Sequence, residues 1–245
     1  MTRRYPPRRV RASFRTAEMV LPQEDDSGPA AGRAATIFAS SVPVMSILTE
    51  FLRHPLLTGA VAASSPALAR MMTGGIGLER ARTVVELGPG TGVFTDAIRR
   101  EVAPGTRIVA VELNGHLAEQ LTRRYRGEPV EIVHGSAADL ARLVRYPVDA
   151  VVSGLPWTVM AEPVRLRILD AVTAVLAPGG VFTTFAYAHA AWTPPGRRFA
   201  AELRQRFGVT GTSRVVWRNL PPAFVHHASA PRPSGRHTPT ARVSR

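Results

Sequence analysis

One ten-residue stretch, Thr83-Val84-Val85-Glu86-Leu87-Gly88-Pro89-Gly90-Thr91-Gly92, sets most of the limits on how this chain folds. An apolar run stops at an acid, and three glycines follow at alternate positions. Val93-Phe94-Thr95-Asp96-Ala97-Ile98-Arg99-Arg100 then has helical periodicity. The pattern predicts a strand, a tight turn and a helix, with backbone N–H groups and a helix N-terminus above the strand end. Gly88 and Gly90 let the chain bend sharply and let a ligand approach the backbone. The spacing G-x-G-x-G differs from the dinucleotide fingerprint G-x-G-x-x-G. A Gly-rich turn that binds nothing is the competing reading. The next apolar run, Arg107–Glu112, ends in an acid twenty positions after Gly92. In open α/β sheets an acid there reaches ribose hydroxyls, and a carboxylate can accept from both at once. Glu112 could also be an ordinary strand-end acid, capping the helix that starts near Asn114.

The rest of the chain repeats the alternation. Strands are expected at 83–87, 107–112, 130–133, 148–153, 181–187, 209–217 and 223–228, and helices at 92–102, 114–125, 137–145, 162–176 and 197–207, with a turn at Pro178-Gly179-Gly180. This is an α/β fold built on a mostly parallel, doubly wound sheet of seven strands, with helices on both faces. The last two strands are separated by Asn219-Leu220-Pro221-Pro222, too short for a parallel crossover, so they must form an antiparallel hairpin. Residues 79–228 make up this domain. Residues 36–78 read as a helical cover over its cleft. One helix there spans 43–53, with apolar Val44, Ile47, Leu48, Phe51 and Leu52 on one face. It could lie on a membrane or pack on its own domain. A second helix is capped by Ser64 or Ser65, has Pro66 in its first turn, and closes at Gly74-Gly75. Residues 1–35 and 229–245 are rich in Arg with Pro, Gly, Ala or Ser, and read as disordered tails.

Charge is distributed unevenly. All 31 basic residues are Arg. Residues 36–170 are nearly balanced, but residues 171–245 hold ten Arg and a single acid, Glu202. A balanced core with a basic flank points to an anionic partner, a phosphate backbone or an anionic membrane surface; basic tails that serve only solubility are the alternative. With no cysteine there is no disulfide framework and no thiolate chemistry. The seven His show no ligand spacing, and the adjacent His226 and His227 point to opposite faces of a strand, so no metal site is expected. No apolar run is long enough to span a bilayer, and no hydrophobic segment follows the Arg-rich start. The expectation is a cytoplasmic protein that can also touch the inner face of the membrane peripherally.

Several segments now carry a resemblance. Glu86 with Gly88, Gly90, Thr91 and Gly92 resembles motif I of the class I S-adenosylmethionine (SAM) methyltransferases. Ser153-Gly154-Leu155-Pro156-Trp157 resembles motif IV of those acting on amino nitrogen, where carbonyls and a side-chain oxygen accept from the nitrogen and an aromatic packs on the substrate. Phe51-Leu52-Arg53, Thr58-Gly59-Ala60-Val61, Val111-Glu112, Ala177-Pro178-Gly179-Gly180, Tyr187 and Trp217 with Asn219-Leu220-Pro221-Pro222-Ala223 complete a likeness to the bacterial phospholipid N-methyltransferases over residues 48–228. That family is similar to the rRNA adenine dimethylases, whose motif IV is Asn-Leu-Pro-Tyr; aligned on the Pro, the Asn falls on Gly154 and the Tyr on Trp157.

The resemblance implies SAM as donor. Glu86, Gly88, Gly90, Thr91, Gly92, Glu112, Leu113, Gly135, Ser136, Ala137 and Ser153 would hold it. Ser136 stands where such enzymes often have an Asp for the adenine amino group. Gly154, Leu155, Pro156, Trp157 and Tyr187 would face the acceptor. The transfer is an in-line displacement that needs a neutral amine with its lone pair aimed by acceptors, and aromatic faces near the cationic methyl. Tyr187 or His189 could relay a proton. The implied acceptor is the amino headgroup of phosphatidylethanolamine at an anionic membrane surface. A nucleic-acid adenine or small-molecule N-methyltransferase, and a SAM-binding module without activity, remain alternatives.

Overall fold

A computed structural model describes residues 64–232. The helix expected over 43–53, the approach to Ser64, the tail 1–35 and residues 233–245 lie outside the described residues. Seven strands form one sheet: β1 (Thr83–Leu87), β2 (Arg107–Glu112), β3 (Val130–His134), β4 (Val148–Ser153), β5 (Leu176–Tyr187), β6 (Phe207–Thr212) and β7 (Ala223–Pro231). Their order is β3-β2-β1-β4-β5-β7-β6. The first five run parallel, and β7 is antiparallel to both β5 and β6. The chain winds one way from β1 to β3 and the other way through β4 and β5. The reversal between β1 and β4 is where such sheets open a crevice beyond their strand ends.

The helices are α1 (Pro66–Thr73), α2 (Val93–Glu101), α3 (Gly115–Arg124), α4 (Leu140–Leu143), α5 (Glu162–Val175) and α6 (Pro194–Arg206). One sheet face buries Val85, Leu87, Val109, Val111, Val151 and Phe182 against Ile168, Leu169 and Val172 of α5 and Phe199 and Leu203 of α6. The other buries Val84, Ile108, Ala150 and Val152 against Leu68 and Met72 of α1 and Phe94 and Ile98 of α2. Both faces are covered, so the strands read as unbroken apolar runs. Each large side chain removed from water contributes about 1.5–3 kcal/mol. Strand alternation places Glu86 on the Val84 face, beneath α2.

The α1 start follows its sequence signals: Ser65 Oγ accepts from Leu68 N at 3.1 Å, and Pro66 opens the helix. Several boundaries differ from expectation, and four of the differences bear on the fold. β5 starts at Leu176, because Ala177–Gly180 bulges out of the ladder between the pairs Val148–Leu176 and Ala150–Val181. A bulge tolerates Pro178, which has no N–H to give. The 137–145 helix is a 3-10 turn, Ala137–Asp139, followed by the single turn of α4. β6 ends at Thr212, and beyond it Val216 makes a lone bridge to Ala223. β7 continues to Pro231, opposite Phe207, past the boundary expected at 229. Among the described residues no helix is long and apolar enough to cross a membrane.

Candidate active site

The turn after β1 holds its glycines for three different reasons. Gly88, Gly90 and Gly92 all have positive φ, at 68°, 56° and 87°. A Cβ on Gly88 would lie 2.8 Å from Leu155 Cδ2, and one on Gly92 would lie 2.5 Å from the Tyr125 hydroxyl. A Cβ on Gly90 would meet nothing within 4 Å. Gly90 is thus the point where the turn faces open space and a ligand can reach the backbone. Gly88 N donates to Val111 O at 3.0 Å, which ties the turn to β2. Thr91 is exposed, and its carbonyl accepts from Arg124 Nη1 at 2.7 Å.

Glu112 sits at the end of β2 with 2% of its surface exposed. Its Oε2 accepts from Gly90 N at 3.1 Å and its Oε1 from Asn114 N at 2.8 Å. The capping of α3 falls to Asn114, whose Oδ1 accepts from His116 N and Leu117 N. Glu112 therefore braces the glycine turn, and each of its oxygens keeps a further lone pair. Leu113 follows, half-buried, with its carbonyl 3.2 Å from His134 Nε2.

Glu86 is fully buried in β1, two residues before the glycine turn. Thr95 Oγ1 donates to its Oε2 at 2.6 Å, while Oε1 has no hydrogen-bond partner among the described residues. Burial pushes its carboxyl up to about 8, against a smaller lowering by the Thr95 hydroxyl and a further rise from Glu112. Folded Glu86 therefore keeps its proton up to about pH 8, whereas the unfolded carboxyl loses it near 4.5. The stability this group contributes is complete below pH 4.5 and is lost as pH rises through 8. Thermal melts between about pH 6 and pH 9 are expected to show a Tm that falls more steeply in the parent than in Glu86→Gln. Parallel pH profiles would contradict this.

The loop after β3 is tied down by Gly135 N donating to Glu112 O at 2.9 Å. Ser136 does not simply present an acceptor to a ligand. Its Oγ accepts from Ala138 N at 3.2 Å and caps the 3-10 turn, with Ala137 buried behind it. A short hydroxyl beside a turn N–H prefers that local bond.

The crest of β4 departs most from expectation. Trp157 is a core residue, 2% exposed, and does not offer its face to the crevice. It stacks on Phe199 at 5.1 Å and meets Phe182 edge-on at 5.8 Å. Its Nε1 donates to Ser153 Oγ at 3.2 Å, and Leu155 N reaches the same oxygen at 3.3 Å. Ser153 is itself fully buried. Its hydroxyl thus shapes the loop, and burying the indole with its N–H satisfied is favoured over leaving the ring at the rim. Gly154 N donates to Leu87 O at 2.8 Å, and a Cβ on Gly154 would lie 2.7 Å from Gly88 O. No side chain fits there without moving the glycine turn. The Gly154 carbonyl makes no hydrogen bond among the described residues. Leu155 and Pro156 stand beside it, half-buried.

Tyr187 ends β5, half-buried, edge-on to Phe185 at 5.7 Å and stacked with His189 at 5.8 Å. Burial raises its phenol, which stays protonated at neutral pH. Three supporting residues carried no signal strong enough in the sequence. Thr95 is the partner of Glu86. Thr184 Oγ1 donates to Ser153 O at 3.0 Å and holds the crest. Phe94 packs beneath Gly154, its ring carbons 3.4 Å from where a Cβ would be. Of these, only Thr95 was within reach of sequence reasoning, lying one helical turn beyond the glycines.

Residues 84–180 match the family described as a methyltransferase domain. The chain is 33% identical over 181 residues to the ornithine lipid N-methyltransferase of Singulisphaera acidiphila, covering 72% of this chain and 90% of that protein. It is 39% identical over 120 residues to ribosomal RNA small subunit methyltransferase A of Kineococcus radiotolerans, covering 47% of this chain and 38% of that one. The fold is shared with the O-methyltransferase of tomaymycin synthesis from Streptomyces achromogenes, solved with SAM, at a TM-score of 0.55 and 20% identity over 75% of this chain and 90% of that one. The glycine turn, the braced Glu112 and the sheet order thus meet a near full-length relative, and the chain belongs to the class I SAM-dependent methyltransferases, in the family that its ornithine lipid N-methyltransferase relative represents.

Proposed function

We propose that this enzyme methylates the amino nitrogen of a membrane lipid headgroup, with phosphatidylethanolamine and ornithine lipid as the two acceptors to separate. The observation that carries this reading is the match over 90% of a lipid N-methyltransferase. The crest of β4 supports it. A planar adenine amine is met in the related rRNA enzymes' motif by an Asn side chain, and Gly154 has neither that side chain nor room for one. A small, freely rotating headgroup amine asks less of the site.

The residues present fit SAM. Glu86 Oε1 has no hydrogen-bond partner among the described residues and could accept from the ammonium of the methionyl end, whose charge would draw the carboxyl toward its ionised form. Gly90 leaves the turn open to close approach, and Glu112 offers oxygens already aimed beside it. Bound SAM supplies an electrophilic sulfonium methyl. The chain supplies positioning: the Gly154 carbonyl accepts an N–H of the neutral amine and so turns its lone pair toward the crevice. Tyr187, a protonated phenol, adds a polar edge at the neighbouring strand end and does not act as a base at neutral pH. The proton released by the product passes to water. Placing acceptors and excluding misaligned amines supplies much of the acceleration, so a dedicated base is not required.

Mass spectrometry of lipids recovered after incubation with SAM tests this reading. Vesicles carrying phosphatidylethanolamine, vesicles carrying ornithine lipid, and free ethanolamine or ornithine are offered in parallel. The expected outcome is one or more added methyls on an intact lipid, confined to the headgroup nitrogen. Methylation of the free amines with both lipids untouched would overturn it.

A further inference from the structure

Two segments leave the sheet beside the candidate active site and carry large apolar side chains into solvent. Trp192 ends the 3-10 turn after β5 and is 76% exposed; Trp217 and Leu220, on the connection from β6 to β7, are 74% and 72% exposed. Both segments emerge at the same sheet end. Tyr187 pairs with Ala223, and Ala188 N donates to Pro222 O at 2.8 Å. β5 in turn runs beside β4 with Thr184 opposite Ser153, so this end is the one that carries Gly154.

These side chains stand on anchored backbone. Asn219, between Trp217 and Leu220, is 2% exposed; its Oδ1 accepts from Ser65 N at 2.9 Å and its Nδ2 donates to Pro221 O at 2.7 Å. Val216 bridges to Ala223, and Ala190 is buried under the turn that ends at Trp192. A loop held this firmly from within would be expected to turn its indoles inward, as happens at Trp157, unless their outward position serves contact with another phase.

The charged residues on and next to these two segments are all of one sign. Arg214 and Arg218 flank Trp217 on its own connection, and Arg197 and Arg198 lie in the first turns of α6, just after Trp192; all four are exposed. Among the described residues none of them forms an ion pair. Glu202, the last acid in the chain, is taken by Arg165. Exposed indoles among uncompensated guanidinium groups match the interface of an anionic bilayer, where Trp sits at headgroup depth and Arg is drawn to the negative surface.

The geometry points to a membrane-docking face formed by Trp192, Trp217 and Leu220 with Arg214 and Arg218, which lays the catalytic end of the sheet against anionic lipid. The Gly154 crest then faces the headgroup layer, and a lipid amine can reach it without leaving the bilayer. The presentation of a lipid amine to Gly154 rests on the acceptor proposed above; the docking of this face on anionic lipid does not.

The chain has only three tryptophans, and Trp157 is buried, so a change in emission on adding vesicles, and its quenching from the lipid phase, report on Trp192 and Trp217. The full chain is mixed with vesicles of phosphatidylglycerol and phosphatidylcholine, which offer no primary amine, with and without brominated acyl chains. Blue-shifted emission and quenching by bromine are expected. The quenching should vanish in Trp192→Phe/Trp217→Phe, and Trp192→Ala/Trp217→Ala should lose about tenfold or more in vesicle affinity while binding SAM as the parent does. Vesicle binding without quenching, or unchanged affinity in the alanine variant, would overturn the docking face. Loss of lipid methylation does not enter this test: quenching with no methylated lipid would sink the proposed acceptor and leave the docking face standing.

Discussion

Replacing Glu112 with alanine is expected to weaken SAM binding by about 100-fold, equivalent to about 3 kcal/mol. The carboxylate does two jobs at once. It holds Gly90 N and Asn114 N at 3.1 and 2.8 Å, which fixes the glycine turn against the start of α3. Its remaining lone pairs are the ones that ribose hydroxyls would use in the proposed SAM complex. Alanine removes both and leaves two backbone donors to find water. Glu112→Gln keeps one oxygen acceptor and should fall between the two. Titration calorimetry with SAM measures the series, and an alanine variant within about threefold of the parent would show that Glu112 serves only the turn.

The second large effect concerns stability. Arg165 forms a bidentate pair with Glu202 at 2.7 and 2.6 Å and donates its Nη1 to Met160 O at 3.0 Å. The two side chains are only 5% and 12% exposed. The pair joins α5 to α6 and pins the loop that begins at Gly154, on the side where Trp157 stacks on Phe199. Removing Arg165 strands the Glu202 carboxylate in an apolar setting. Arg165→Ala is expected to destabilise the fold by about 3–5 kcal/mol. Arg165→Met with Glu202→Leu should recover most of the loss, because no charge is then left unpaired. Urea unfolding of the three proteins checks both statements; a single variant as destabilised as the double would contradict them.

Much of this architecture was legible in the sequence because it rests on local patterns. The strand-turn-helix at 83–101 follows from an apolar run, three glycines and a helical period, all within a few residues. The final antiparallel strands followed from the brevity of Asn219–Pro222. What that brevity could not say is that β7 inserts between β5 and β6, since the pairing with β5 joins residues some forty positions apart. The Ala177–Gly180 bulge was misread as a turn for the same reason: the ladder resumes across it only because β4 is there to pair with.

The site divides along the same line. The Gly88–Gly92 turn and the acid at 112 could be placed from spacing alone. Trp157 could not, because whether an aromatic after Pro faces ligand or core is decided here by Phe182 and Phe199, which come from other elements. Ser136 Oγ commits one lone pair to Ala138 N, only two residues away, a local bond that the loop's resemblance did not reveal. The steric closure at Gly154 needed coordinates, since the obstructing atom is a carbonyl on the turn after β1.

The most direct measurement is the fate of a labelled methyl group. Purified protein is given labelled SAM with anionic vesicles containing phosphatidylethanolamine and ornithine lipid in one vessel, and total RNA in another. Label is predicted in the lipid phase, on the headgroup nitrogen, and absent with Glu112→Ala. Label that appears in RNA while both lipids stay unlabelled would contradict the account.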